Sequence, residues 1–144
     1  MKIHILFDFV KGPYGGGNQF LKALNNELKE LTFYENDPEK ADVILFNSHH
    51  NLKDTIKLKK KYSKKIFVQR VDGPMAYRGI EGIKLDKKIF LINSIIADGT
   101  VFQSQWSQKI GKNIWTSLLA QLMEQLPKDF MITWKIYNNI NLRI

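Results

Sequence analysis

Cysteine is absent from this 144-residue chain, which removes disulfides and thiolate metal sites from consideration. Arginine is scarce as well: only three of the 22 basic residues are Arg, and the rest are Lys. A net charge of +8 is compatible with nucleic acid, acidic lipid or phosphate-bearing substrates. The same lysine excess follows from an A/T-rich coding sequence that favours AAA codons, so charge alone argues for no nucleic-acid partner. Long apolar runs are missing too. "IHILF" and "VILF" fall far short of the roughly 20 residues a membrane helix needs, so no transmembrane segment is expected and membrane contact is limited to weak peripheral binding. No small-residue cleavage site follows "MKIHILFDFV", which reads as a first strand rather than a signal peptide. A cytoplasmic location is the expectation.

With 44% hydrophobic and 25% charged residues, the composition is that of one soluble globular domain with a real core. Residues 2 to 9, "KIHILFDF", predict a buried strand. Asn18 suits the N-cap of a helix over about 19 to 31, with Phe20, Leu21, Leu24, Leu28 and Leu31 at helical spacing. "TFYEN" offers a short second strand and "DPEK" a turn. "ADVILFNS", 41 to 48, predicts the next strand, and "LKDTIKLKKKY", 52 to 62, the next helix. "KIFVQRV" is a strand stopped by "DGP". A loop holding "MAYRGIEG" precedes helical periodicity over 84 to 97, then "TVFQS" gives a further short strand and "QWSQK" opens another segment. Strands alternating with helices predict an α/β fold, a doubly wound parallel sheet whose ligands bind where the loops gather at the strands' carboxyl ends.

Those loops hold the candidate functional residues. Gly15, Gly16 and Gly17 stand between a strand and a helix N-terminus, where free N–H groups and the positive end of the helix dipole suit a phosphate. A Walker loop would need Lys and Ser or Thr after the last glycine, and Asn18 and Gln19 stand there instead. A dinucleotide fingerprint would need a third glycine where Phe20 stands. An NAD-binding alternative would use Glu35, about 20 residues past the glycines, as its ribose acid. His49 and His50 follow one strand, and Arg70, Asp72 and Gly73 lie at the end of another. Adjacent histidines in a strand-end loop suit a catalytic role about as well as that of surface or structurally satisfied residues. Two His without Cys, or without His or Glu at helical spacing, make a poor metal site, so no metal is expected. Asp72 before Gly-Pro also suits an Asx-turn. The run "KLKKKYSKK", 57 to 65, reads as a solvated helix face.

Taken together, "GGGNQFLKAL", "ADVILFNSHH", "IFVQRVDGPMAYRG" and above all "IADGTVFQSQWS" resemble, in family order over residues 1 to 107, the N-terminal half of GT-B glycosyltransferases, close to glycosyltransferase family 4. The resemblance implies a Rossmann-like acceptor-side domain and transfer of a sugar from a nucleotide-sugar donor to a glycan, lipid or other acceptor, without a metal or other cofactor. It places Gly15, Gly16 and Gly17 near the donor diphosphate, with Asn18 capping the helix that points at it, and His49, His50, Arg70 and Asp72 along the acceptor side. Gln69 stands where a relative more often carries His. The donor-binding half of such enzymes is not recognisable after Ser107, so the chain is expected to be inactive alone. The alternative is a non-catalytic α/β module that binds a nucleotide or anion.

Residues 108 to 144 depart from this pattern and form an atypical tail. One reading is a shifted frame, in which A/T-rich codons allow "TINGAIAKRF", similar to the family's entry into its second domain. The genetic code forces only four residues of that frame: Asp from Trp115-Thr116, Gly from Met123-Glu124, Asp from Met131-Ile132 and Glu from Trp134-Lys135. The other reading is a genuine helix over 114 to 126, whose apolar spacing suits docking on a sheet edge or a partner.

Overall fold

The computed structural model describes residues 1–12 and 14–124, with side chains to residue 117. Four parallel strands, β1 (Ile3–Leu6), β2 (Val43–Asn47), β3 (Ile66–Val71) and β4 (Gly99–Phe102), lie in the order β1-β2-β3-β4. Four helices accompany them: α1 (Gly16–Glu30), α2 (Leu52–Lys61), α3 (Ile80–Ile96) and α4 (Gln105–Glu124). β2 has the continuous apolar run of a strand covered on both faces, and all five of its residues are buried.

The expected second strand shrinks to one bridge, Tyr34 paired in parallel with Ile3. That bridge still decides the topology. The Ile3 N–H donates to Phe33 O at 2.8 Å and Ile3 O accepts Glu35 N–H at 2.9 Å. These groups are on the edge of β1 away from β2. The chain therefore leaves β1 through α1 to one side, then returns to the other side to build β2. Strand order reverses between β1 and β2, which is the switch point at which doubly wound sheets open a crevice.

Helix placement follows. Leu21 and Leu28 of α1 pack with Ile5 and Leu45 on one face. Leu58 of α2 and Ile92 and Ile96 of α3 pack with Ile44, Phe46 and Phe67 on the other. Phe46 and Phe67 are fully buried, and each contributes roughly 1.5–3 kcal/mol through area removed from water. The sheet is thus a mixed α/β core flanked by helices on both faces, a Rossmann-like doubly wound arrangement.

Several boundaries differ from expectation. α1 starts at Gly16 with Gly15 as its cap, so Asn18 lies inside the first turn and is not the N-cap. Phe20 and Leu31, expected on the core face, are 45% and 51% exposed: Phe20 lies over the Arg70 side chain instead, and Leu31 falls past the end of the helix at Glu30. α3 begins at Ile80, one turn before the expected start, because Gly79 takes a positive φ of 79° there and Gly82 lets the helix touch the preceding loop. A Cβ on Gly82 would sit 1.7 Å from the Met75 carbonyl oxygen. α4 runs without a break across residues 107 and 108. Trp115 lies between Phe90 and Phe102, at ring-centroid distances of 5.7 and 5.6 Å. Of the proposed helix over 114 to 126, residues 125 and 126 lie outside the described residues, as does the rest of the tail to 144.

Candidate functional site

Past the ends of β1, β2 and β3, the loops expected to hold function do meet. Gly17, in the first turn of α1, stands against the side chains of Asn47, Arg70 and Asp72, which a Cβ on it would approach to 3.5–3.7 Å. Asn47 and Arg70 occupy paired positions on β2 and β3, on the face that α1 covers. Arg70 is only 2% exposed. Its Nη1 donates to Asn47 Oδ1 at 2.7 Å and to Asp72 Oδ1, and its guanidinium carbon is 4.4 Å from the centroid of the Phe20 ring. A buried guanidinium requires a partner carboxylate and hydrogen-bond acceptors, and Asp72 and Asn47 supply these at Nη1.

Asp72 is the hub of this group. Its Oδ2 accepts from Asn47 Nδ2 at 3.2 Å and from Ser48 Oγ at 3.1 Å. The Asp72 backbone N–H in turn donates to Ser48 Oγ at 3.0 Å. Asp72 ties two strand ends together rather than closing an Asx-turn. Gln69, fully buried, donates to Ser48 O at 2.9 Å and accepts from Asn93 at 2.8 Å, so it anchors the end of β2 to α3.

The glycines divide by role. Gly15 has φ 55° and ψ 149°, a conformation reserved in practice for glycine. Around Gly15 and Gly16 a Cβ would meet nothing within 4 Å. The first-turn amides of Gly16, Gly17 and Asn18 have no partner within the helix, and they carry the positive end of its dipole. Asn18 instead uses its side chain to grip the loop: Oδ1 accepts the Val10 N–H and Nδ2 donates to Val10 O, both at 3.1 Å. Gln19 Nε2 donates to Gly12 O at 3.0 Å, which braces the loop from the other side.

His49 and His50 follow β2 on the same edge, their ring centroids 4.3 Å apart. His50 is exposed and its ring meets the edge of Phe7 at 5.5 Å. His49 is half-buried. Burial, then the neighbouring His50, hold its pKa below the usual 6.5; Asp72 opposes and Lys88 adds to the lowering. The imidazole is therefore neutral near pH 7. Its Nδ1 is buried and has no hydrogen-bond partner among the described residues, so the ring keeps a polar atom unused by the fold.

Asn47, Ser48 and Phe20 were not foreseen. The signal for the first two was present in the polar pair "NS" directly after the apolar run "VILF". Glu35 runs beside the start of β1, and its Oε1 accepts the Asp37 N–H at 3.0 Å. That puts it at the far end of β1 from the glycines, where it cannot serve as the ribose acid of a dinucleotide site. The lysine run also lies away from the crevice: Lys59 pairs with Asp98 at 2.7 Å and Lys61 with Glu39 at 3.6 Å. Among the described residues no group of three or more His, Asp or Glu could hold a metal ion, and no helix is long and apolar enough to cross a membrane.

Comparisons of the chain with protein-family models, with curated proteins and with solved structures return no match.

Proposed function

We propose that residues 1–107 are the acceptor-side domain of a GT-B type glycosyltransferase that uses a nucleotide-sugar donor. The observation that carries this reading is the open, side-chain-free N-terminus of α1 at the switch point between β1 and β2, with Gly16 in open space. In the transfer, an acceptor hydroxyl attacks the anomeric carbon. The bond from that carbon to the donor's diphosphate breaks, and the diphosphate leaves with the electron pair. Amides of Gly16 and Gly17 and the positive end of α1 stabilise the charge that develops on it. Neutral His49 orients the acceptor hydroxyl and takes its proton as the new bond to the anomeric carbon forms. Arg70 and Asp72 act indirectly, by fixing the strand ends on which these groups stand.

The resemblance assigns the grip on the nucleotide to a second domain, so residues 1–107 taken alone are expected to turn over no nucleotide-sugar. On this reading the enzyme needs no metal and its acceptor is a glycan, a lipid or another molecule; the absence of cysteine suits a cytoplasmic location.

Sequencing the coding DNA onward from the Gln103 codon, and translating every frame, tests the proposal. An open frame for roughly another domain with strand-turn-helix rhythm supports it. Stop codons soon after in all frames favour a second reading, a non-catalytic module that binds a nucleotide or anion. The packing of Trp115 against Phe90 and Phe102 supports that second reading, since the tail then completes the core.

A further inference from the structure

Two aromatic side chains that the transfer chemistry above leaves unused, Tyr77 and Trp106, stand on the same sheet edge. Tyr77 is 71% exposed and Trp106 is 56% exposed, yet their rings are stacked, with centroids 6.2 Å apart and planes 17° from parallel. Tyr77 comes from the connection after β3 and Trp106 from the first turn of α4, just after β4. Each is held by devices that serve no core packing of its own.

Tyr77 belongs to a short 3-10 turn, Ala76–Arg78. Asp86 of α3, 5% exposed, turns its carboxylate on that turn and accepts the Met75 N–H at 3.0 and 3.1 Å and the Ala76 N–H at 2.8 Å. Gly82 allows the same turn to lie directly on α3, where any side chain would collide with the Met75 carbonyl. On the other side, Ser104 and Ser107 cap the start of α4 reciprocally. The Ser107 N–H donates to Ser104 Oγ at 3.1 Å and the Ser104 N–H to Ser107 Oγ at 3.0 Å, which fixes the turn bearing Trp106. The indole then lies along Gly73, 3.8 Å from where a Cβ would stand.

A buried carboxylate, an obligatory glycine and a capping pair thus converge to keep two large rings rigid and in water. Exposed aromatic surface held this way marks a binding site. Gly73 joins it directly to Asp72, whose side chain is 19% exposed and adjoins the Gly17 turn. The platform is therefore continuous with the crevice.

We infer that Tyr77 and Trp106 form a stacking subsite for a sugar ring of the acceptor, so that the acceptor is a saccharide or carries one. The C–H face of a pyranose bears partial positive charge and matches the negative face of an aromatic ring. The inference rests on the acceptor-side reading of this domain. It is tested separately from diphosphate binding, because its signal arises at Trp106 rather than at the glycines.

The test is saturation-transfer NMR on the full chain with the methyl glycosides of glucose, galactose, mannose and N-acetylglucosamine as probes. Saturation of the ring protons on one face of at least one glycoside is expected. It should be lost in Trp106→Ala and in Tyr77→Ala, kept in Trp106→Phe, and kept in Phe33→Ala, which removes an exposed aromatic at the other end of the sheet. Both alanine changes remove exposed rings, and circular dichroism verifies that these variants fold. No saturation of any of the four glycosides overturns the inference, as does saturation that survives Trp106→Ala. Binding of uridine monophosphate at Trp106 with no glycoside binding overturns it in favour of a base-stacking site.

Discussion

Ser48 and Asp72 hold each other twice: the hydroxyl donates to the carboxylate at 3.1 Å and accepts the Asp72 backbone N–H at 3.0 Å. This reciprocal pair closes the end of β2 onto the end of β3, and Arg70 sits beneath it with its charge neutralised by the same carboxylate. Residues that look in the sequence like substrate-facing charges are first of all the clasp of the crevice.

Breaking the clasp from one side is therefore costly. Arg70→Met leaves the Asp72 carboxylate without its counter-charge, and a loss of about 3 kcal/mol is expected, since removing one partner of a buried pair costs ~3–5 kcal/mol and Asp72 is partly wet. The double change Arg70→Met with Asp72→Asn recovers at least part of that loss. Urea unfolding of the three proteins measures both.

His49 makes stability depend on pH in a defined direction. Its pKa in the folded chain lies below the ordinary 6.5, so below that value the unfolded chain binds more protons at this site. The stabilising contribution is complete above about pH 6.5 and is lost as pH falls toward the folded pKa. An NMR titration of the His49 ring should give a midpoint below 6.5. His50→Ala should raise that midpoint, and Asp72→Asn should lower it further.

The glycines separate conformation from access. Gly15→Ala forces a side chain into a backbone region that costs of order 1–3 kcal/mol, and thermal unfolding should show it. Gly16→Ala places its methyl in open space on a helical residue and should not lower stability; Ala is the better helix former. A ligand that approaches the Gly16 amide would still be obstructed, so this variant reports on function alone.

Trp115→Ala tests whether the start of the tail belongs to the fold. Trp115 is half-buried between Phe90 and Phe102, so a loss of about 2 kcal/mol is expected, below the ~3–5 kcal/mol of a fully buried aromatic. No change in the unfolding midpoint would mean that residues from 108 onward contribute nothing, as the shifted-frame reading requires.

The doubly wound architecture was legible because "VILF" and "IFV" carry the apolar runs of parallel central strands, and the loops that follow contain the turn residues that stop them. The N-terminus of α1 was misplaced because Asn18 has the chemistry of a cap. Its side chain was claimed by Val10, a partner eight residues away that no local rule points to. Gly82 looked like loop punctuation, yet it is a helical residue chosen for close approach to Met75. Arg70 and Asp72 lie together near one strand end in the sequence, but the part of Asn47, which bonds to both from the neighbouring strand, needs the sheet to be seen. The stacking of Tyr77 on Trp106 joins a 3-10 turn to the first turn of α4, 29 positions on, so only the fold could bring it into view.

The central claim is that the amides at the start of α1 receive the diphosphate of a nucleotide-sugar, and amide-shift NMR during titration with uridine diphosphate tests it most directly. The account predicts saturable shifts of the Gly16 and Gly17 amides, abolished in Gly16→Ala while the rest of the spectrum keeps its native dispersion. Unmoved Gly16 and Gly17 amides, or shifts that persist unchanged in Gly16→Ala, would contradict it.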